Sequence, residues 1–227
     1  MLYKNKVKKM SEKYKNPALT VDIAVFTIID KELKILLIKR KNPPFQDKWA
    51  IPGGFVDYEE EIITAAKREL EEETGVKNLS VEQVHTFGKV GRDPRGRTVS
   101  VVYLAVADSS GIKINAGSDA KQAEWFNARN LPELAFDHDE IVDFTLNALI
   151  QKLENTPVIK HLLPEKFLIS EIQEVYENIL NEKFDSERFE PEIIKTGLLK
   201  KLEGDKYSFK ENVKFAGKFN KLLLGVT

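Results

Sequence analysis

Cysteine is absent from the 227 residues, which excludes a disulfide framework, a thiolate nucleophile and any cysteine-ligated metal centre, and fits a reducing compartment. No apolar run approaches the roughly 20 residues needed to cross a bilayer. The lysine-rich start, MLYKNKVKKMSEKYKNPAL, is never followed by the apolar stretch of a secretory signal, so a cytoplasmic protein is expected. Neither sign of charge dominates: Lys+Arg 35 against Asp+Glu 36 leaves a formal net charge of -1, and any attraction to nucleic acid or an anionic membrane must be local. What is present is an ordinary globular mixture, 42% hydrophobic and 31% charged, enough to build a core and to exclude wholesale disorder. At roughly 100 to 200 residues per domain, the chain is expected to hold two domains.

The N-terminal residues 1–17, with lysines at 4, 6, 8, 9, 13 and 15, read as a flexible basic arm. Val21, Ile23, Val25, Phe26, Ile28 and Ile29 mark a strand over 19–29, Asp30-Lys31-Glu32 a turn, and Ile35 to Ile38 the neighbouring strand. After Trp49-Ala50-Ile51, Pro52-Gly53-Gly54 suits a sharp backbone reversal. A helix is expected over 60–74, with Ile63, Ala66 and Leu70 inward and Gly75 ending it. Strands follow at about 80–90, 98–107 and 123–126, and a second helix over 137–153 with Ile141, Phe144, Ala148 and Leu149 inward. The order predicts an α/β sandwich, helices packed on a mixed sheet. Periodicity lapses around 154–164, which divides the chain into domains 1–155 and 156–227. The tail reads as a helix over 167–180, a second over 191–196 and a hairpin over 201–209 turning at Gly204-Asp205; helix, helix, hairpin is winged-helix order.

Chemistry concentrates in GFVDYEEEIITAAKRELEEETGV, residues 54–76. Glu69, Glu72 and Glu73 stand at i, i+3 and i+4 of the helix and share one side of two turns. Carboxylates this close repel, so a positive partner is required, and hard oxygen donors without histidine or thiolate favour Mg²⁺ or Mn²⁺.

The segment resembles the Nudix box: Gly54, Glu60, Arg68, Glu69, Leu70, Glu72, Glu73, Gly75 and Val76 fill its positions without a departure. Seven fixed identities have chance odds on the order of 10⁻⁸ per starting position. The resemblance implies a Nudix α/β/α sandwich and a Mg²⁺-dependent pyrophosphohydrolase that cleaves a nucleoside diphosphate linked to another moiety. Glu69, Glu72 and Glu73 are then metal ligands. Arg68 orients a box carboxylate by a salt bridge, and Glu60 either helps to hold metal or is that arginine's partner. Gly53 and Gly54 let their loop approach the metal helix and the substrate, although a plain turn would also explain them. WAIPGGFVD, GRDPRGRTVSVVYLA and LAFDHDEI resemble the branch that hydrolyses ADP-ribose to AMP and a phosphorylated product, or senses it. Arg92, Arg95 and Arg97 either place guanidinium groups near phosphates or decorate an exposed hairpin loop. His138 reads as a cap or surface residue outside the catalytic set, and Trp49 as packing.

The box followed by a winged-helix-like tail resembles Nudix-related transcriptional regulators, which sense a nucleotide sugar and bind DNA. The tail is a poor polyanion ligand by composition: from Lys160 onward 12 basic residues meet 12 acidic ones. The expected recognition segment, SERFEPEIIKT, carries Glu187, Glu190 and Glu192 against Arg188 and Lys195, and Pro191 breaks helix interiors. Lys200, Lys201 and Lys206 are the remaining basic residues at the wing. Retained hydrolysis is therefore the favoured expectation, with the regulator as the alternative. The family is commonly homodimeric, and Phe215, Phe219, Leu222, Leu223 and Leu224 offer apolar surface for a second copy.

Overall fold

The computed structural model describes residues 16–108, 112, 114–115, 120–155 and 158–211. Lysines 4–15 of the basic arm, most of the polar stretch 109–119 and the apolar residues 215–224 lie outside the described residues. No helix among the described residues is long and apolar enough to cross a membrane.

The first sheet is built on β1 (Ala18–Ile29), a twelve-residue strand shared between partners. Its N-terminal half pairs with β4 (Gly53–Phe55) and its C-terminal half with β2 (Glu32–Arg40), both antiparallel, while β6 (Thr98–Val106) runs parallel along its other edge. β2 also pairs with β3 (Trp49–Ala50) and β7 (Ala120–Asn127), and β6 with β5 (Glu82–Phe87), completing a mixed seven-stranded sheet. Asp30 and Lys31, at φ 51° and 61°, make the tight β1–β2 turn. The chain turns where expected, since β3 runs antiparallel to β2 and β4 antiparallel to β1, so that β3 and β4 run in opposite senses; Gly53 and Gly54 are already strand residues opposite Asp22 and Val21.

Alternation sorts the strand side chains onto two faces. Val21, Ile23, Val25, Val101 and Tyr103 pack with Ala65, Ala66 and Leu70 of α1 (Ile62–Thr74). Ala24, Phe26, Ile35, Leu37, Val102 and Leu104 pack with Ile141, Val142, Leu149 and Leu153 of α2 (His138–Asn155). The result is the expected α/β/α sandwich. Both inward stripes differ by one position from the sequence reading: Ile63 faces water, 44% exposed, while Ala65 is fully buried, and Phe144 lies at the edge of its interface, its ring 4.5 Å from His85.

The second sheet orders β8 (Phe167–Leu168), β10 (Lys206–Phe209) and β9 (Leu199–Lys201), with α3 (Ile169–Leu180) and α4 (Ser186–Lys195) beside it, a winged helix. Phe167 and Leu168 are strand rather than helix because β10 pairs with them. Helix α4 runs through Pro191 instead of starting there. Asp185 caps it by accepting the Glu187 N–H at 2.8 Å, and fully buried Phe189 and Ile193 hold it in place. Ile172, Val175, Tyr176 and Ile179 of α3 join the same apolar cluster as Ile35, Leu37 and α2. The winged helix thus shares the core of the sandwich, and Arg129 adds a hydrogen bond to the Ile179 carbonyl at 2.7 Å.

Candidate functional site

A cavity of about 310 Å³ opens where β1, β2, β4, α1 and the loop before β6 meet. Among its lining residues are Asp22, Arg40, Gly53, Gly54, Arg68, Glu69, Glu73, Arg92, Asp93, Arg95, Phe136 and His138. Helix α1 delivers the carboxylates. Its C-terminus is fixed by Gly75 at φ 74°, whose N–H caps the Glu71 carbonyl at 2.8 Å.

The three box glutamates are not equivalent. Glu73 is buried and accepts the Gly53 N–H at 2.8 Å; burial pushes its pKa up to about 8, the neighbouring Glu69 and Asp22 charges add to this, and the Gly53 amide and Arg40 oppose it. Glu69 also lines the cavity, whereas the Glu72 side chain is half exposed and does not line it. The positive partner that the crowded carboxylates require is already supplied in part by Arg68. It binds Glu60 through both Nε (2.9 Å) and Nη2 (2.8 Å), Glu69 at 2.7 Å, Glu72 at 3.3 Å and the Phe55 carbonyl at 3.0 Å. The Glu60 bonds above all raise the arginine's pKa, and Arg68 in turn holds Glu60 below the usual carboxylate range. Of the two readings of Glu60, the geometry is that of the arginine's partner.

The glycines are required by close approach. A Cβ on Gly53 would stand 2.1 Å from the Val21 carbonyl oxygen, and one on Gly54 2.4 Å from the Glu69 carboxyl. The arginines of the loop part company. Arg92 is buried in a two-bond contact with Asp137 at 2.7 and 2.9 Å, with Asp22 at 3.7 Å. Arg95 is forked onto Asp93 and stacks over the Phe55 and Phe136 rings. Burial disfavours the Asp93 charge, but the Arg95 hydrogen bonds outweigh it and the pKa falls. Arg97 does not line the cavity; it bonds the Lys89 and Thr98 carbonyls.

Sequence reasoning missed the polar floor. His138 is buried, not a surface cap: Nδ1 accepts the Ile51 N–H at 2.9 Å, so the neutral ring carries its proton on Nε2, 3.6 Å from Asp22. Burial lowers its pKa, with Asp22 and Asp137 opposing. Asp22 accepts the Ser100 hydroxyl. An acid in the middle of an otherwise apolar, buried strand was the available sign of this site. Trp49 packs edge-on against Phe126 at 4.6 Å, as expected.

The donor set suits a hard divalent cation: carboxylate oxygens, a backbone kept bare of Cβ atoms beside Glu69, and no soft ligand. Among the described residues, no three acidic or imidazole groups are already gathered at ligating positions, consistent with Arg68 lying among them.

Residues 18–144, which carry the sandwich, the box helix and this cavity, match the family model described as the NUDIX domain; the chain belongs to that family. Residues 159–212 match the NrtR DNA-binding winged helix domain, so an NrtR-type winged helix follows the Nudix domain. The chain is 33% identical over 201 residues, 87% of its length and 80% of the relative's, to the ADPR responsive transcriptional repressor NtrR of Acinetobacter baylyi. It is 46% identical over 129 residues, 57% of its length and 73% of the relative's, to an ADP-ribose pyrophosphatase of Methanocaldococcus jannaschii. The solved structure of Shewanella oneidensis NrtR complexed with a 27mer DNA superposes with a TM-score of 0.68 at 31% identity, covering 85% of this chain and 93% of that one.

Proposed function

We propose that this protein is a nucleotide-responsive DNA-binding regulator, whose Nudix domain takes ADP-ribose or a similar nucleoside diphosphate conjugate and whose winged helix contacts DNA. The observation that carries it is the shared core: α3 packs on the sheet that frames the cavity, and the likeness to the Acinetobacter repressor runs through both domains. Exposed Glu187 and Glu190 make α4 a weak phosphate ligand, so phosphate contact falls to Lys200, Lys201 and Lys206 around the wing. The test is fluorescence anisotropy on DNA from upstream of the protein's own gene. Salt-sensitive binding that ADP-ribose weakens is expected; no binding at low salt, or binding indifferent to the nucleotide, sinks the reading.

A second reading, retained hydrolysis, is favoured by the complete carboxylate set and by the pyrophosphatase relative. Glu69, Glu72 and Glu73 would hold Mg²⁺ or Mn²⁺, which when bound neutralises phosphate charge and acidifies a water. Arg68 keeps Glu69 and Glu72 in place, Gly53 fixes Glu73, and the buried floor excludes solvent from beneath the substrate. Metal-dependent release of AMP from ADP-ribose, abolished by Glu72→Gln and by Glu73→Gln in folded protein, is the expected result. Turnover unchanged in both variants refutes it.

A further inference from the structure

Arg40 ends β2 on the cavity wall, half-buried, and was not among the residues singled out from the sequence. Its Nε donates to the Pro44 carbonyl at 3.0 Å and one Nη to the Asn42 carbonyl at 3.4 Å; the other Nη has no partner among the described residues. Three carboxylates lie within its field, Glu73, Asp93 and Asp22. Each is engaged elsewhere: Glu73 with the Gly53 amide, Asp93 with Arg95, Asp22 with Ser100 and beside Arg92 and His138. None of them is ion-paired with Arg40 among the described residues.

A half-buried cation served only by backbone carbonyls is costly unless an anion completes it. Burial indeed lowers the Arg40 pKa, and repulsion from Arg95 lowers it further. The two guanidinium groups share one aromatic ring, Phe136, at 4.8 and 5.5 Å from its centroid. The ring is braced edge-on by Phe45 at 4.8 Å and held by a backbone at φ 56°, a conformation bulky residues seldom adopt outside sites that exploit it. Arg92 and Arg95 already spend their forks on aspartates. Arg40 alone of the three has no carboxylate hydrogen-bonded to it among the described residues.

We propose that Arg40 is an anion-binding residue of this cavity, taking a phosphate oxygen of a nucleoside diphosphate, with Phe136 holding its guanidinium in place. The assignment rests on the reading that the cavity receives such a nucleotide. Calorimetry on the full chain, with divalent metal chelated, tests it using ADP-ribose, inorganic pyrophosphate and adenosine as separate ligands. Arg40→Gln is expected to weaken both anions roughly ten- to a hundredfold, the scale of a lost charge-assisted hydrogen bond, and to leave adenosine unchanged. Arg40→Lys, which keeps the charge without the fork, is expected to fall between, and carries the test should Arg40→Gln fail to fold. Anion binding at wild-type strength in both variants overturns the inference, as does an equal loss of adenosine. If the wild type binds pyrophosphate through Arg40 but not ADP-ribose, the anion site stands and the nucleotide reading falls. Arg40-independent binding of ADP-ribose gives the reverse, and failure to bind either anion removes both.

Discussion

Glu73 ties stability to pH. Its pKa is raised from an ordinary 4.5 to about 8 in the fold, so the folded state holds a proton that the unfolded chain releases. That contribution is complete below about pH 4.5 and is lost as the pH climbs through about 8. With metal chelated, urea midpoints are expected to fall between about pH 5 and about pH 9, and Glu73→Gln is expected to flatten the decline. A second residue-scale expectation concerns Arg92. Removing it leaves Asp137 buried without its partner, and Arg92→Ala should cost about 3–5 kcal/mol in denaturant unfolding; a loss below about 1 kcal/mol would show the pair to be dispensable. The box carboxylates were legible because their spacing is both helical and specific. His138 and Arg40 were not, since nothing local distinguishes a lone polar residue that the fold later buries beside a cavity; Asp22 carried the one local sign, an acid within an apolar strand. Arg92 and Arg95 were placed in the right neighbourhood, and their aspartate partners, Asp137 and Asp93, could not be paired with them from sequence spacing.

At the scale of elements, β4 and α1 form one device, with two glycines at their meeting point. Gly53→Ala would drive a Cβ into the Val21 backbone, which cannot move without parting β4 from β1. A loss of about 1–3 kcal/mol is expected from thermal or denaturant unfolding. Gly54→Ala meets only the end of the Glu69 side chain. It should therefore melt closer to the wild type while weakening binding of Mg²⁺, measurable by calorimetry; equal destabilisation by the two substitutions would contradict this division. The elements with long, regular patterns, β1, α1 and α2, were readable within a few residues. Two short ones were not. β8 exists only because β10 lies beside it, and α4 survives Pro191 because its cap and two buried side chains outweigh the missing N–H.

Over the whole molecule, the winged helix and the sandwich are expected to unfold as one. Their apolar side chains form a continuous cluster, so calorimetry should give a single transition, and Leu149→Ala in α2 should lower that transition as a unit at a cost of about 2–5 kcal/mol. Two resolved transitions would mean that the shared cluster does not couple them. The exposed Lys31–Glu174 ion pair between the β1–β2 turn and α3 should matter little, because solvent screens it. The sequence marked where periodicity lapses between the domains, but it held no sign that one domain serves as part of the other's interior, because each amphipathic helix looks alike whatever it packs against.

Helix α3 belongs to two neighbourhoods at once. Swapping the tail for another module would therefore bare apolar side chains of the sheet that it now helps to cover. Family members without the tail are expected to carry polar residues at some of the positions of Leu33, Ile35 and Leu37.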